Sequence, residues 1–311
     1  MRTDRFQLSP EWVVAASSAL WGLYWIPLRA IEERGLDANW TTLIQFLVPA
    51  ILLLPVAILR ALRGRSFGMS QIASGLLIGM AFALYCQSLL LTDVVRALIL
   101  FYVMPSWGTL LEVTVLRRRF TRWRALALLL GMVGLLTIVS GDIDTRLHLN
   151  AGDWMALVSG VVFAFGALKV RTEQNSTLFE QLFSFFVFGT VSAVALILIS
   201  PVPISSTFPS RELGELMPWM LLMAVVFLIP VMGGIYWGSG QVDPGRLGIL
   251  LQLEAVVGIV SAALLANEVF GIREALGAVL VISAGLAEVL GSRHNGLPTT
   301  QPAEPGDHPG A

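Results

Sequence analysis

The chain has 311 residues, 56% of them hydrophobic and only 13% charged, with a net charge of −1 and a mean hydropathy of +0.76. A soluble domain carries about 25% charged residues, so this chain cannot cover itself with polar surface and its solvent must be lipid. The near-zero net charge argues against nucleic acid as a partner; the expected partners are the bilayer and a small solute.

Residues 1–10 make a short polar start with Arg2 and Arg5. The first apolar segment runs from Trp12 to Ile31. At 1.5 Å per residue its ~20 residues cross a ~30 Å hydrocarbon core. A secretory signal would have a shorter apolar core and a small-residue cleavage site, so this segment is read as a retained helix. Further apolar segments fall at 39–60, 70–92, 93–116, 122–141, 152–170, 178–200, 213–240, 243–266 and 273–291. Lipid leaves backbone groups no partner outside the segment, so runs this long and apolar must be helices. The tightest connection is Thr92-Asp93, the one polar break between the third and fourth segments. The tail, 293–311, is rich in proline and small polar residues and is expected to be disordered.

Basic residues set the orientation. With the N-terminus inside, fourteen of the 20 lysines and arginines fall in inside segments, among them Arg117, Arg118, Arg119, Arg122 and Arg124. That bias places both termini in the cytoplasm.

The chain also repeats itself. Shifted by 150 residues, Asp93, Arg96, Leu100, Gly108, Phe120 and Gly141 fall on Asp243, Arg246, Leu250, Gly258, Phe270 and Gly291 without a gap. At an offset of 142, Glu11-Trp12 falls on Asp153-Trp154, Trp21 on Phe163 and Arg29 on Arg171. Each copy holds five helices, an odd number, so the second copy enters the bilayer from the opposite side. The expected fold is an all-α membrane protein: ten transmembrane helices in a 5+5 inverted-topology repeat. Its units are 1–150 and 151–292, followed by the tail. Two similar halves of this kind swap conformations and open a central site to one side and then the other.

This arrangement resembles the drug/metabolite transporter superfamily, of the EamA type, over about residues 12–291. The local cues are Phe101-Tyr102-Val103-Met104-Pro105-Ser106-Trp107, then Arg118-Arg119-Phe120-Thr121 and Gly131-x-x-Gly134, and in the second half Asn267-Glu268-Val269-Phe270 and Gly277. Leu20-Trp21 with Tyr102-x-x-Pro105 resembles bacterial aromatic and broad-range amino acid exporters. One departure stands out: Ala255, preceded by Glu254, occupies the position opposite Pro105. The resemblance implies a secondary transporter of the cell (inner) membrane that exports amino acids, aromatic ones included. It also implies a cavity among the first, third, fourth, sixth, eighth and ninth helices. Trp21, Tyr24, Trp25, Phe82, Tyr85, Tyr102 and Phe163 on these helices are the candidate lining, with Trp107, Phe165, Tyr236 and Trp237 along the route. Aromatic rings supply apolar area, a polar handle on Tyr and Trp, and a face for an ammonium group. Trp12, Trp40, Trp123, Trp154 and Trp219 sit at segment ends and read as interface anchors.

Glu254 lies eleven positions after Asp243, about halfway through the membrane. An ionisable group there is costly and reads as functional: it can hold a substrate ammonium or carry a coupling proton. Its polar neighbour is Gln252. A helix-packing carboxyl with no transport role is the alternative. Pro27, Pro105, Pro230 and Gly234 are hinge candidates, and Pro230 with Gly233 and Gly234 makes the eighth segment the most breakable.

No HExxH, GxSxG or intramembrane histidine is present, so an intramembrane enzyme is disfavoured, and no Walker motif offers direct use of ATP. The single cysteine, Cys86, cannot form an internal disulfide, and no metal or cofactor is expected. No cation lies near mid-depth to hold a phosphate. An exporter of cationic drugs or other metabolites is the alternative reading, because Glu254 could sit in an aromatic cage. Two internal halves can enclose a route, so a monomer is expected.

Overall fold

The computed structural model describes residues 9–64, 69–115, 117, 121–139, 149–170, 176–199, 209–242, 244–268 and 270–294. Asp243, the stretch Arg118-Arg119-Phe120 and the chain beyond 294 lie outside these residues. Every regular element among them is helical. In order the elements are α1 (Pro10–Gly22), α2 (Trp25–Glu32), α3 (Ala38–Leu62), α4 (Met69–Leu91), α5 (Val94–Phe101), α6 (Met104–Thr114), α7 (Arg122–Val139), α8 (Ala151–Val170), α9 (Leu178–Ile199), α10 (Ser210–Met223), α11 (Ile229–Ser239), α12 (Pro244–Leu265) and α13 (Ile272–His294), with a π-helical turn, Ala224–Leu228, joining α10 to α11.

Among the described residues, seven helical runs are long and apolar enough to cross a bilayer: Ala38–Leu62, Ile72–Leu91, Val94–Leu111, Ala151–Val170, Leu178–Ile199, Ser210–Ser239 and Arg246–Leu265. Of the ten expected spans, the first, fifth and tenth fall outside that set. The chain is a multi-pass membrane protein.

Two spans are broken, each four residues before a proline. A proline ring collides with the carbonyl four residues upstream and offers it no N–H. For Pro27 that carbonyl belongs to Leu23, where α1 gives way to α2. Tighter bonds bridge the gap, from Tyr24 N–H to Trp21 O (3.0 Å) and from Ile26 N–H to Leu23 O (3.1 Å). For Pro105 it belongs to Phe101, the last residue of α5, and α6 resumes at Met104. Pro230 behaves differently. The eighth span is continuous through Pro230, Gly233 and Gly234, because the π-helical turn around Val226 takes up the missing bond. The segment with the most proline and glycine is thus unbroken in this structure.

Small residues let the helices cross closely. A Cβ on Gly79 of α4 would lie 2.5 Å from Gly189 N of α9, and one on Gly134 of α7 would lie 3.3 Å from Gly277 O of α13. Of the sequence cue Gly131-x-x-Gly134, Gly134 therefore meets Gly277, while Gly131 faces Ser106 of α6. The packing is paired. α1 lies on α11 and α12, as α8 lies on α4 and on α5–α6, while α3 faces α9 and α7 faces α13. Exchanging the two halves maps these pairings onto one another.

Polar contacts at the two ends give direction to the bundle. Near the starts of α1 and α12, Glu11 and Arg246 approach to 3.7 Å. At the other end Arg29 of α2 pairs with Glu268, just past α12, at 2.8 Å. The first span and α12 thus run side by side in one direction. Glu268 also accepts from the N–H groups of Val94 (2.7 Å) and Val95 (3.2 Å), so α5 starts where α12 ends. In the first turn of α5, Arg96 pairs with Asp153 of α8 at 2.8 Å. Arg96 and Arg246 therefore stand at opposite ends. Asp153 is fully buried, accepts from Thr92 Oγ1 at 2.9 Å, and closes a reciprocal cap with Asn150.

Candidate functional site

The broken first and fourth spans meet α4, α8, α9 and α11 in a cluster of rings. Phe82 is its hub. It makes edge-to-face contacts with Trp21 (5.6 Å), Tyr85 (6.2 Å), Phe163 (5.8 Å) and Phe185 (5.2 Å). Trp21 stacks on Tyr24 at 4.7 Å, and Tyr85 stacks on Phe101 at 4.4 Å. Phe101 meets Tyr102 edge-on at 5.3 Å, and Tyr236 meets Phe185 at 6.3 Å. The local cause is simple. Trp21/Tyr24 and Phe82/Tyr85 are i, i+3 pairs, and such pairs share a helix face. The breaks at Leu23 and Tyr102 bend their spans at the level of these rings.

Six of the candidate aromatics, Trp21, Tyr24, Phe82, Tyr85, Tyr102 and Phe163, thus come together. Trp25 is buried beside them but is committed: its Nε1 donates to Ser261 Oγ of α12 at 3.0 Å. The Tyr24 hydroxyl shares a 3.2 Å contact with Cys86 Sγ. Gln252 does not join. A Cβ on Gly285 would meet its amide, so Gln252 packs towards α13, whereas Glu254, two residues on, turns inward. Among the route candidates Tyr236 reaches the cluster, but Phe165 is 44% exposed and Trp237 39%, both on the outer surface. Phe101, Phe185 and Ser261 belong to the site and were not singled out. The break before Pro105 could have flagged Phe101. Nothing in the phenylalanine-rich run of α9 distinguishes Phe185 from its neighbours.

Glu254 is 9% exposed, with Tyr102 and Tyr85 as its electrostatic neighbours. Three polar atoms here are buried without a well-formed hydrogen bond: Trp21 Nε1, and Glu254 Oε1 and Tyr102 Oη, which face each other as hydrogen-bonding neighbours but do not close a good geometry. Ser18 Oγ, one turn before Trp21 on α1, is a fourth. A buried polar group without a partner costs about 1–3 kcal/mol. The site therefore presents one acceptor and neutral donors to whatever enters.

In this state it is packed shut. The space beneath the rings, lined by Ser74, Gly75, Ile78, Ser184, Phe185 and Tyr236, has a volume of about 40 Å³. That is room for a few waters, while small-molecule pockets run to about 300 Å³ and more. This cleft lies towards the Glu11–Arg246 end, where α4 begins. The opposite end carries a wide vestibule of about 470 Å³ lined by Arg29, Glu32, Thr92, Asp93, Arg96 and Asn150. Burial lifts the Glu32 carboxyl above its usual range, against the pull of Arg29. Asp93 makes no side-chain cap on α5 and is exposed, so bracing of the tight turn falls to Arg96 and Glu268.

Phe82 gives one direct test of this packing. Phe82→Ala removes the ring that five others touch. The expected loss of stability is about 3 kcal/mol, read as a lower unfolding midpoint in detergent; an unchanged midpoint would show that the rings do not depend on their hub.

Compared with known proteins, residues 8–140 match the model of the EamA-like transporter family. No curated protein matches the sequence. Solved structures do match, in 22 chains. One of them, described as "Crystal structure of protein", aligns with a TM-score of 0.54 at 14% identity, covering 91% of this chain and 97% of its own. That likeness concerns the fold, and it extends over both halves.

Proposed function

We propose, from the premise that residues 8–140 belong to the EamA-like transporter family, that the chain is a secondary transporter exporting small amphipathic solutes, amino acids and aromatic ones among them, by alternating access. It acts as a monomer in the cell membrane, its five-plus-five halves inverted and both termini in the cytoplasm. The placement of Arg96 and Arg246 at opposite ends of the bundle supports the inversion.

The observation that carries the substrate reading is the set of buried polar atoms among stacked rings that lack a well-formed hydrogen bond. Glu254 Oε1 accepts from an ammonium group. Trp21 Nε1 and Tyr102 Oη donate to a carboxylate. The rings hold an apolar or aromatic side chain. A zwitterion fits such a set because it brings both charges and needs no fixed cation. The cationic-solute reading is the second one, favoured by Glu254 alone: among the described residues no lysine or arginine joins the ring cluster.

A competition panel separates the two. The purified protein is placed in liposomes with radiolabelled phenylalanine, and unlabelled amino acids or organic cations are added. Competition by aromatic and large apolar amino acids is expected. Competition by organic cations alone would replace the first reading by the second, and the absence of any solute flux would overturn both.

A further inference from the structure

Two ion pairs in this bundle are copies of each other. The repeat at an offset of 150 sets Arg96 on Arg246, and the separate match at 142 sets Glu11 on Asp153. The structure joins Arg96 to Asp153 and Arg246 to Glu11. Two alignments with different offsets thus converge on one interaction, made once between α5 and α8 and once between α12 and α1. The copies sit at opposite ends and differ in state. Arg96–Asp153 is closed at 2.8 Å, with the Asp153 side chain fully buried and further held by Thr92 and Asn150. Arg246–Glu11 stands open at 3.7 Å, with side chains 62% and 44% exposed. The closed copy lies beside the second pair of that end, Arg29–Glu268. The open copy lies at the end to which the cleft beneath the rings belongs.

We propose that Arg96–Asp153 and Arg246–Glu11 are the two copies of one latch, and that they close in alternation, each sealing its own end while the other is slack. The latch rests on the transport reading above and adds to it the residues that set which side is open. A slack pair contributes little because water screens it. A closed one holds a carboxylate in a dry place where losing its partner is costly. Each latch therefore biases the equilibrium between the two access states only while shut. In the opposite state Arg246 and Glu11 close to hydrogen-bond distance, and Arg96 leaves Asp153 to water.

The test reads access, not flux. In the full chain with Cys86→Ser, one reporter cysteine is placed at the vestibule (Leu91→Cys) or in the cleft (Ser184→Cys). Alkylation by a soluble maleimide is followed in open membrane fragments. Arg96→Gln is expected to speed labelling at 91 and slow it at 184, by about tenfold in the ratio of the two rates. Arg246→Gln and Glu11→Gln are expected to shift that ratio the other way, by about two- to threefold. The last two variants remove exposed side chains and keep the test alive if Arg96→Gln does not accumulate. Shifts of the same sign from both ends, or no shift from Arg246→Gln and Glu11→Gln, would overturn the latch. Amino acid flux with unshifted labelling defeats the latch alone; opposed shifts without flux of any solute leave it standing and defeat the transport reading.

Discussion

Glu254→Gln is expected to lower amino acid flux by about ten- to a hundredfold while leaving the protein's abundance in the membrane unchanged. The substitution keeps size and shape, so the packing of α12 against α1 and the rings is preserved. It removes the one acidic acceptor that the ring cluster offers. A hydrogen bond to a charged group contributes about 1.5–3 kcal/mol, which sets the range. The position makes the test informative: Glu254 Oε1 is buried beside the Tyr102 hydroxyl without a well-formed hydrogen bond, and the Glu254 backbone oxygen lies against the first span at Gly22. A variant moving phenylalanine at the wild-type initial rate in liposomes would take Glu254 out of the mechanism.

Gly22→Val is expected to abolish flux and to lower the unfolding midpoint, at a cost of about 3 kcal/mol. A Cβ at residue 22 would lie 2.6 Å from Glu254 O and 2.9 Å from Gly258 N. Both are backbone atoms, so neither can rotate aside, and α1 must move off α12. That shift displaces Trp21 and Tyr24 from the rings. Gly108, which the repeat aligns with Gly258, supplies the control: a Cβ there meets nothing within 4 Å. Gly108→Ala should leave midpoint and flux alone. Equal losses in the two variants would mean that the loss comes from helix glycines in general and not from this crossing.

These positions also show how much was readable beforehand. Lipid as solvent, helices as the elements, and their approximate spans follow from composition and segment length, because a bilayer admits few alternatives. Trp21, Tyr24, Phe82, Tyr85, Tyr102 and Phe163 were legible as site candidates from their depth and their place in the resemblance. Gln252 lies apart from them against Gly285, since two residues along a helix is about 200° of rotation and sequence neighbours there do not share a face. Phe165 and Trp237 lie on the outer surface, a placement the sequence could not give, because apolar periodicity does not separate a lipid-facing ring from an inward-facing one. Pro230 looked like Pro27 and Pro105, yet a π-helical turn absorbed it.

The amino-acid sequence alone thus settled the medium and the helical elements, and raised the expectation of a duplicated plan with Glu254 midway along its segment, because these depend on local composition and spacing. Tertiary structure decided which rings meet at Phe82 and which polar atoms are left without partners. It also decided that one copy of the ion pair is shut while the other is slack. Those properties depend on distances between segments far apart in the chain, and in an apolar solvent no hydrophobic pattern encodes them.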